Sequence, residues 1–356
     1  MITRRKTKTA LLTLMSALAL MACSTENVLP DGAADAPRPL SFSVTAKGVT
    51  RGLPVGTTME ESFGVYAYVY DGDFGTQEAN YMKNEEVLYK GNGQWSTANT
   101  FSTPEAGKKI RMYACSPFST ADNTVVSQPA AVEGAPTVTV TVPTDVKLQV
   151  DFMTASFNEM TTDDYLTQYA GEDPTAIPMT FEHQLTQIRF VTGLMPACKV
   201  SSIKLSGVKD QGTYTLGSET PWAISGETTK DYELTGEIVV TGEAGQKLNE
   251  GANRLMLVPQ DPEGYVVTLK YNDGKEQELT ATIPAGSDWL PGKIVTYTLS
   301  VSSIKAFKVQ CTAIDNWVDG GTATGGVSSD SNIGTNGEVE TWEETDEPTK
   351  ITKKTE

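Results

Sequence analysis

The chain is predicted to be all-β, folded as antiparallel β-sandwiches, and three observations carry that prediction. Short runs alternate apolar and polar residues with a period of two, which places one set of side chains on each face of a strand. The runs are rich in Val, Thr, Tyr and Phe, types that fit a pleated, half-buried surface. Gly, Pro, Asn and Asp punctuate them at short intervals, so the connections read as turns rather than crossover helices.

The pattern begins near residue 40 with LSFSV and continues with FGVYAYVY at 63–70. There Phe63, Val65, Ala67 and Val69 take one face while Tyr66, Tyr68 and Tyr70 take the other, so both faces are expected to be covered. KKIRMYACS at 108–116, TVTVTV at 137–142 and TFEHQLTQIRFVTGL at 180–194 extend the series. Residues 155–168, ASFNEMTTDDYLTQ, read as a short helix, and no segment reads as a helix of three or more turns.

The second half repeats the style with IKLSGV, YELTGEIVVTG, NRLMLVP, PGKIVTYTLSVS and IKAFKVQCTAI. Its clearest local feature is a hairpin over 264–284, in which YVVTLKY and KEQELTATI flank Asn272, Asp273 and Gly274, residues that accept a tight turn. A slip of one residue would exchange Val266, Thr268 and Lys270 with Val267, Leu269 and Tyr271, so the turn decides which set is buried.

Ahead of the first strand, Arg4, Arg5, Lys6 and Lys8 precede an apolar run over 10–21, and small Ala22 precedes Cys23. This is an export signal, too short to span a bilayer as a permanent helix. Its Leu20-Met21-Ala22-Cys23 ending resembles the lipobox of bacterial lipoproteins, which implies acylation of Cys23, as with palmitate, and removal of residues 1–22. Several acyl chains on one cysteine anchor stably, at about 0.8 kcal/mol per buried methylene. Residues 23–39 then read as a flexible tether, 40–194 and 195–320 as two domains, and the Gly-, Ser- and acid-rich 321–356 as a flexible tail. Within that tail Val339 and Trp342, in GEVETWEE, are the large apolar residues of a brief alternation and are candidates for a strand formed on a partner.

Removing residues 1–22 takes away four basic side chains and no acidic one, which carries the net charge from −17 to −21. That balance argues against nucleic acid as a partner. Cys115, Cys198 and Cys311 are spaced too widely for a zinc motif and are expected to be buried small residues. The single histidine, His183, is expected to be a structural strand residue hydrogen-bonded between sheets. Asp71, Asp73 and Glu78 lack the ligand spacing of a calcium loop and read as a polar hairpin loop. No nucleophile, metal or phosphate motif is present, so the reading is a non-enzyme without cofactor or metal.

The lipoprotein signal, FSVTAKGVTRG with Arg51, FGVYAYVY, VDFMTAS at 150–156, FEHQLTQIRF, and the closing PGKIVTYTLSV and AIDNW together resemble the fimbrillin, or Mfa-like, proteins of Bacteroidales over about residues 40–318. The resemblance implies two tandem transthyretin-like β-sandwich domains. It also implies a place in a type V pilus at the outer membrane and cell surface, as subunit, tip, anchor or accessory. In polymerising members a trypsin-like protease cuts after a basic residue beyond the first strand, and a donor strand from the next subunit fills the groove. Carried over, the displaced strand holds Phe42, Val44 and Ala46, and the cleavage candidate is Arg51 with Lys47 second. The implied partners are other fimbrial subunits, in homo- or heteropolymers, the outer membrane through acyl chains, and a host or bacterial surface ligand. The long polar tail departs from the family pattern and leaves tip, accessory and anchor roles open beside the stalk. The main rival is a surface glycan-binding lipoprotein in which Trp95, Trp222 and Trp289, near Gly, Ser and Pro loops, stack on sugars. A hydrolase, the third class, needs two carboxylates converging in a cleft.

Overall fold

Seventeen strands account for nearly all the regular structure that a computed structural model describes, over residues 38–46, 62–75, 77–91, 93–129, 133–161, 163–164, 176–250 and 253–317. The export signal 1–22, Cys23, Lys47, Arg51, and the tail 321–356 with Val339 and Trp342 lie outside those residues.

Seven strands close into a barrel: β1 (Ser41–Ala46), β2 (Ser62–Tyr70), β3 (Met82–Gly91), β4 (Gln94–Thr97), β5 (Lys109–Ser116), β8 (Met153–Thr161) and β9 (Ala176–His183). The order around it is β1-β4-β3-β2-β5-β8-β9. Sandwich sheets were expected here; closure comes from β1, which pairs with β9 on one side and β4 on the other. The alternation in β2 places side chains as the sequence predicts. Phe63, Val65 and Ala67 fill the barrel interior, while Tyr66, Tyr68 and Tyr70 point outward into a second apolar cluster. The helix expected over 155–168 is not formed in its first half, because β8 runs through Thr161 and pairs with β5. Ladder bonds to a neighbouring strand there outweigh a weak local helix signal.

Two further sheets hold the remaining strands. One has the order β13 (Leu255–Leu257), β10 (Thr186–Thr192), β16 (Lys293–Val301) and β17 (Phe307–Asn316). The other runs β15 (Glu276–Thr282), β14 (Val266–Asn272), β11 (Cys198–Thr215), β7 (Thr137–Thr141) and β6 (Val126–Ser127), with β12 (Trp222–Val240) along β11. The run read as strand over 180–194 is thus two strands, β9 in the barrel and β10 in the four-stranded sheet, and hydrogen bonding changes sheets at Gln184 and Leu185. β6 and β7 likewise join the sheet built mainly from the second half. The hairpin forms in the expected place: Gly274 takes φ 113° and donates its N–H to Asn272 Oδ1 at 2.9 Å. Val267, Leu269 and Tyr271 are its buried apolar set, and Thr268 on the other face is buried as well.

The barrel interior is one apolar cluster, and a larger one runs from Tyr66, Tyr68 and Tyr113 on the barrel's outer face to Val267, Leu269 and Tyr297 between the two sheets. The described residues form one compact unit. At the junction Gln184 N donates to Phe152 O at 2.9 Å, Gly292 N to Leu185 O at 3.0 Å, and Trp317 N to Gly292 O at 2.8 Å.

Candidate functional site

β1 sits in an aromatic groove of the barrel. Its alternation is simple: Phe42 and Val44 point inward and are buried, while Ser43 and Thr45 are exposed. The Phe42 ring meets Phe63 edge-on at 5.9 Å, and Phe63 in turn contacts Trp95 at 5.4 Å and Phe181 at 5.0 Å. Burying Leu40, Phe42 and Val44 contributes roughly 5–9 kcal/mol, an upper figure because unfolded chains already bury some surface.

The backbone contacts of β1 are uneven. Along β9 it makes a parallel ladder from Ser41 opposite Ala176 to Ala46 opposite Phe181, with Thr45 Oγ1 3.1 Å from Thr180 Oγ1. Against β4 it makes one register pair, Phe42 with Trp95. The residues just before it, expected to be the end of the tether, are instead tied down. Thr103 N donates to Arg38 O and Leu40 N to Phe101 O, each at 2.7 Å, and Pro39 bridges Ser102. The groove is neutral, so the seat is specified by shape and ladder bonds.

Of the expected site residues, the structure brings Phe42 and Val44 together on the groove and places Ala46 opposite Phe181 at the end of the ladder. Phe63, Trp95 and Phe181, which form the seat, were not singled out as such, although the alternating runs around Phe63 and Phe181 carried the signal.

The tryptophan platforms of the glycan reading are corrected. Trp95 packs inside the barrel, and Trp289 is buried with its Nε1 donating to Tyr297 OH at 2.9 Å. Trp222 is half-buried against Phe152 and Tyr214 and donates to Gln184 O at 3.1 Å. Loop neighbours in sequence do not expose a ring whose apolar area the core can take up.

His183 is buried at the end of β9 and hydrogen-bonded, as expected. Its Nδ1 lies 2.7 Å from Asp151 Oδ2, and its ring stacks on Trp317 at 4.3 Å and 5°. Cys115 and Cys198 are buried as expected, whereas Cys311 is only half-buried because it lies on β17 at the edge of its sheet. All three are free thiols, and burial raises the pKa of each. Asp71 pairs with Lys108 at 2.6 Å and Glu78 with Lys83 at 3.8 Å. Near the same loop Glu159 accepts from Lys109 at 2.7 Å, Tyr70 OH at 2.6 Å and Arg111 at 3.3 Å, which holds its carboxyl below the usual range. Among the described residues no group of three or more His, Cys, Asp or Glu is placed to hold a metal.

The geometry therefore defines a closed β-barrel in which β1 lies over an aromatic face between β4 and β9. A family model described as fimbrillin-like matches residues 50–317, and the chain belongs to that family. Among solved structures, a fimbrial protein from Bacteroides vulgatus overlaps with a TM-score of 0.56 at 18% identity, covering 78% of this chain and 99% of that one. A candidate cell adhesion protein from Bacteroides ovatus overlaps with a TM-score of 0.56 at 16% identity, covering 80% and 99%. At those identities the likeness is one of fold. No curated protein matches the chain.

Proposed function

We propose that the protein is a structural or adhesive subunit, or an accessory such as a tip protein, of a cell-surface fimbria, and that it acts without catalysis. It is exported as a lipoprotein through Cys23, held at the outer membrane by acyl chains, and assembled when cleavage after Arg51, or after Lys47, frees β1. A donor strand from another subunit then takes the groove, with Val339 and Trp342 as the donor side chains this chain offers to its own partner. Membership of the fimbrillin-like family supports this reading. The observation that carries it is the seat of β1: buried Phe42 and Val44 on an aromatic groove, a ladder to β9, and a single register pair to β4. Such a strand can be replaced by another with the same alternation, since the incoming backbone restores the ladder and its side chains refill the pockets. On this reading the barrel and the pair of sheets correspond to tandem transthyretin-like domains, and the barrel opens between β4 and β9 once β1 leaves.

The test is limited trypsin treatment of the mature protein followed by electron microscopy. Clipping at Arg51 with head-to-tail oligomers is expected, and Arg51→Ala with Lys47→Ala should abolish both. Oligomers that form equally well with the double variant reject the mechanism. Truncation at residue 325 should stop polymerisation and leave the body folded, whereas normal polymers from it would remove the tail from the scheme.

A further inference from the structure

Gly64 of β2, Asn84 of β3 and Gln128, just after β6, meet on the outer face of the barrel, away from the β1 groove. A Cβ built on Gly64 would stand 2.2 Å from Asn84 Oδ1 and 2.9 Å from Gln128 Oε1, so the two amide oxygens crowd one spot on the β2 backbone. Both oxygens are buried and neither has a hydrogen-bond donor. Their own NH2 groups are committed elsewhere. Asn84 Nδ2 donates to Ser119 O at 2.8 Å, and Gln128 Nε2 donates to Pro117 O at 2.9 Å and lies 3.1 Å from Ser119 Oγ. Turning either amide over would set its oxygen against the carbonyl oxygen of Ser119 or Pro117, so these bonds fix both orientations. Asn84 reaches the spot by taking φ 55° where the β2–β3 register shifts between Val65 and Tyr66. A left-handed conformation is one that Asn tolerates, and the bulge aims its side chain away from the ladder.

We propose that one buried water molecule sits at this cluster, donating one hydrogen to Asn84 Oδ1 and the other to Gln128 Oε1. The water ties β2 and β3 of the barrel to the 117–128 segment, which contains β6 of the six-stranded sheet. Their distances to one common point keep the two oxygens within about 5 Å of each other, a span that one water closes with two ordinary hydrogen bonds. Chemistry selects water over a cation. The orphaned acceptors are two neutral amide oxygens, which supply no charge of their own to offset a buried metal or ammonium ion.

The test is a crystal structure of the mature protein at a resolution that shows ordered solvent, from crystals grown in sodium salts and again in rubidium salts. One solvent peak within hydrogen-bond distance of both oxygens, without anomalous signal in rubidium, is expected. A rubidium peak, the absence of any solvent peak, or a direct bond between the two amides overturns the proposal. In solution, Asn84→Gly keeps the left-handed backbone and Gln128→Met keeps the volume. Each variant loses its own bond to Ser119 O or Pro117 O, but the bridge is lost only once, so the shift of the double variant should be smaller than the sum of the two single shifts. Melting shifts that add in full would show two independent oxygens and reject a shared water.

Discussion

His183 is the chain's only histidine, and its place between Asp151 and Trp317 gives it two partners that a neighbour in sequence could not supply. His183→Ala removes the ring under Trp317 and takes from Asp151 a partner at 2.7 Å. The expected loss is about 2–4 kcal/mol in urea unfolding, with a change in tryptophan emission. A loss under about 0.5 kcal/mol would mark the contact as energetically idle. Glu159 gives a pH signature. Its carboxyl is depressed by Lys109 and Tyr70, so its contribution is complete above the unfolded carboxylate range and disappears as pH falls through the folded value. Melting temperature should therefore drop on acidification, and Glu159→Gln should flatten part of that drop; parallel curves for the two proteins would exclude the role. A hydrogen-bonded strand position for His183 was legible from the alternation of FEHQLTQIRF, in a sequence without a nucleophile or metal motif. Its partners were not, since Asp151 and Trp317 reach it only through the fold. Trp95 misled for a related reason: the glycines beside it form a turn, and the turn carries the ring into the barrel.

At the scale of elements, local pattern was informative wherever the partner strand is adjacent in the chain. The β14–β15 hairpin shows its turn, register and buried face in sequence, and Gly274→Ala should cost about 1 kcal/mol in thermal unfolding because φ 113° suits glycine. An unchanged stability would mean the turn relaxes without loss. The division between β9 and β10 was hidden, since the apolar alternation runs almost unbroken through Gln184 and Leu185 while the hydrogen bonds pass to a different sheet. The pairing of β1 with β9 was equally hidden, because a parallel partner so distant in sequence leaves no local trace. A protein beginning at residue 52 should expose the groove and bind an apolar dye, and a peptide of residues 38–46 should suppress that signal. Absence of dye binding would show that the barrel closes without β1.

At the scale of the molecule, the cluster that joins the outer tyrosines of β2 to Tyr297 and Val267 makes the barrel and the two sheets dependent on each other. Calorimetry should record one unfolding transition, and two well-separated transitions would contradict a shared core. The parallel arrangement of β1 and β9 has a mechanical side. β9 leads directly into β10 of the four-stranded sheet, so traction on the chain before residue 38, resisted from that sheet, pulls the two strands in opposite directions along their length. All six paired positions then bear load at once in shear, whereas peeling would break them singly. The seam is stiff against a pull along the chain and open to replacement from the side.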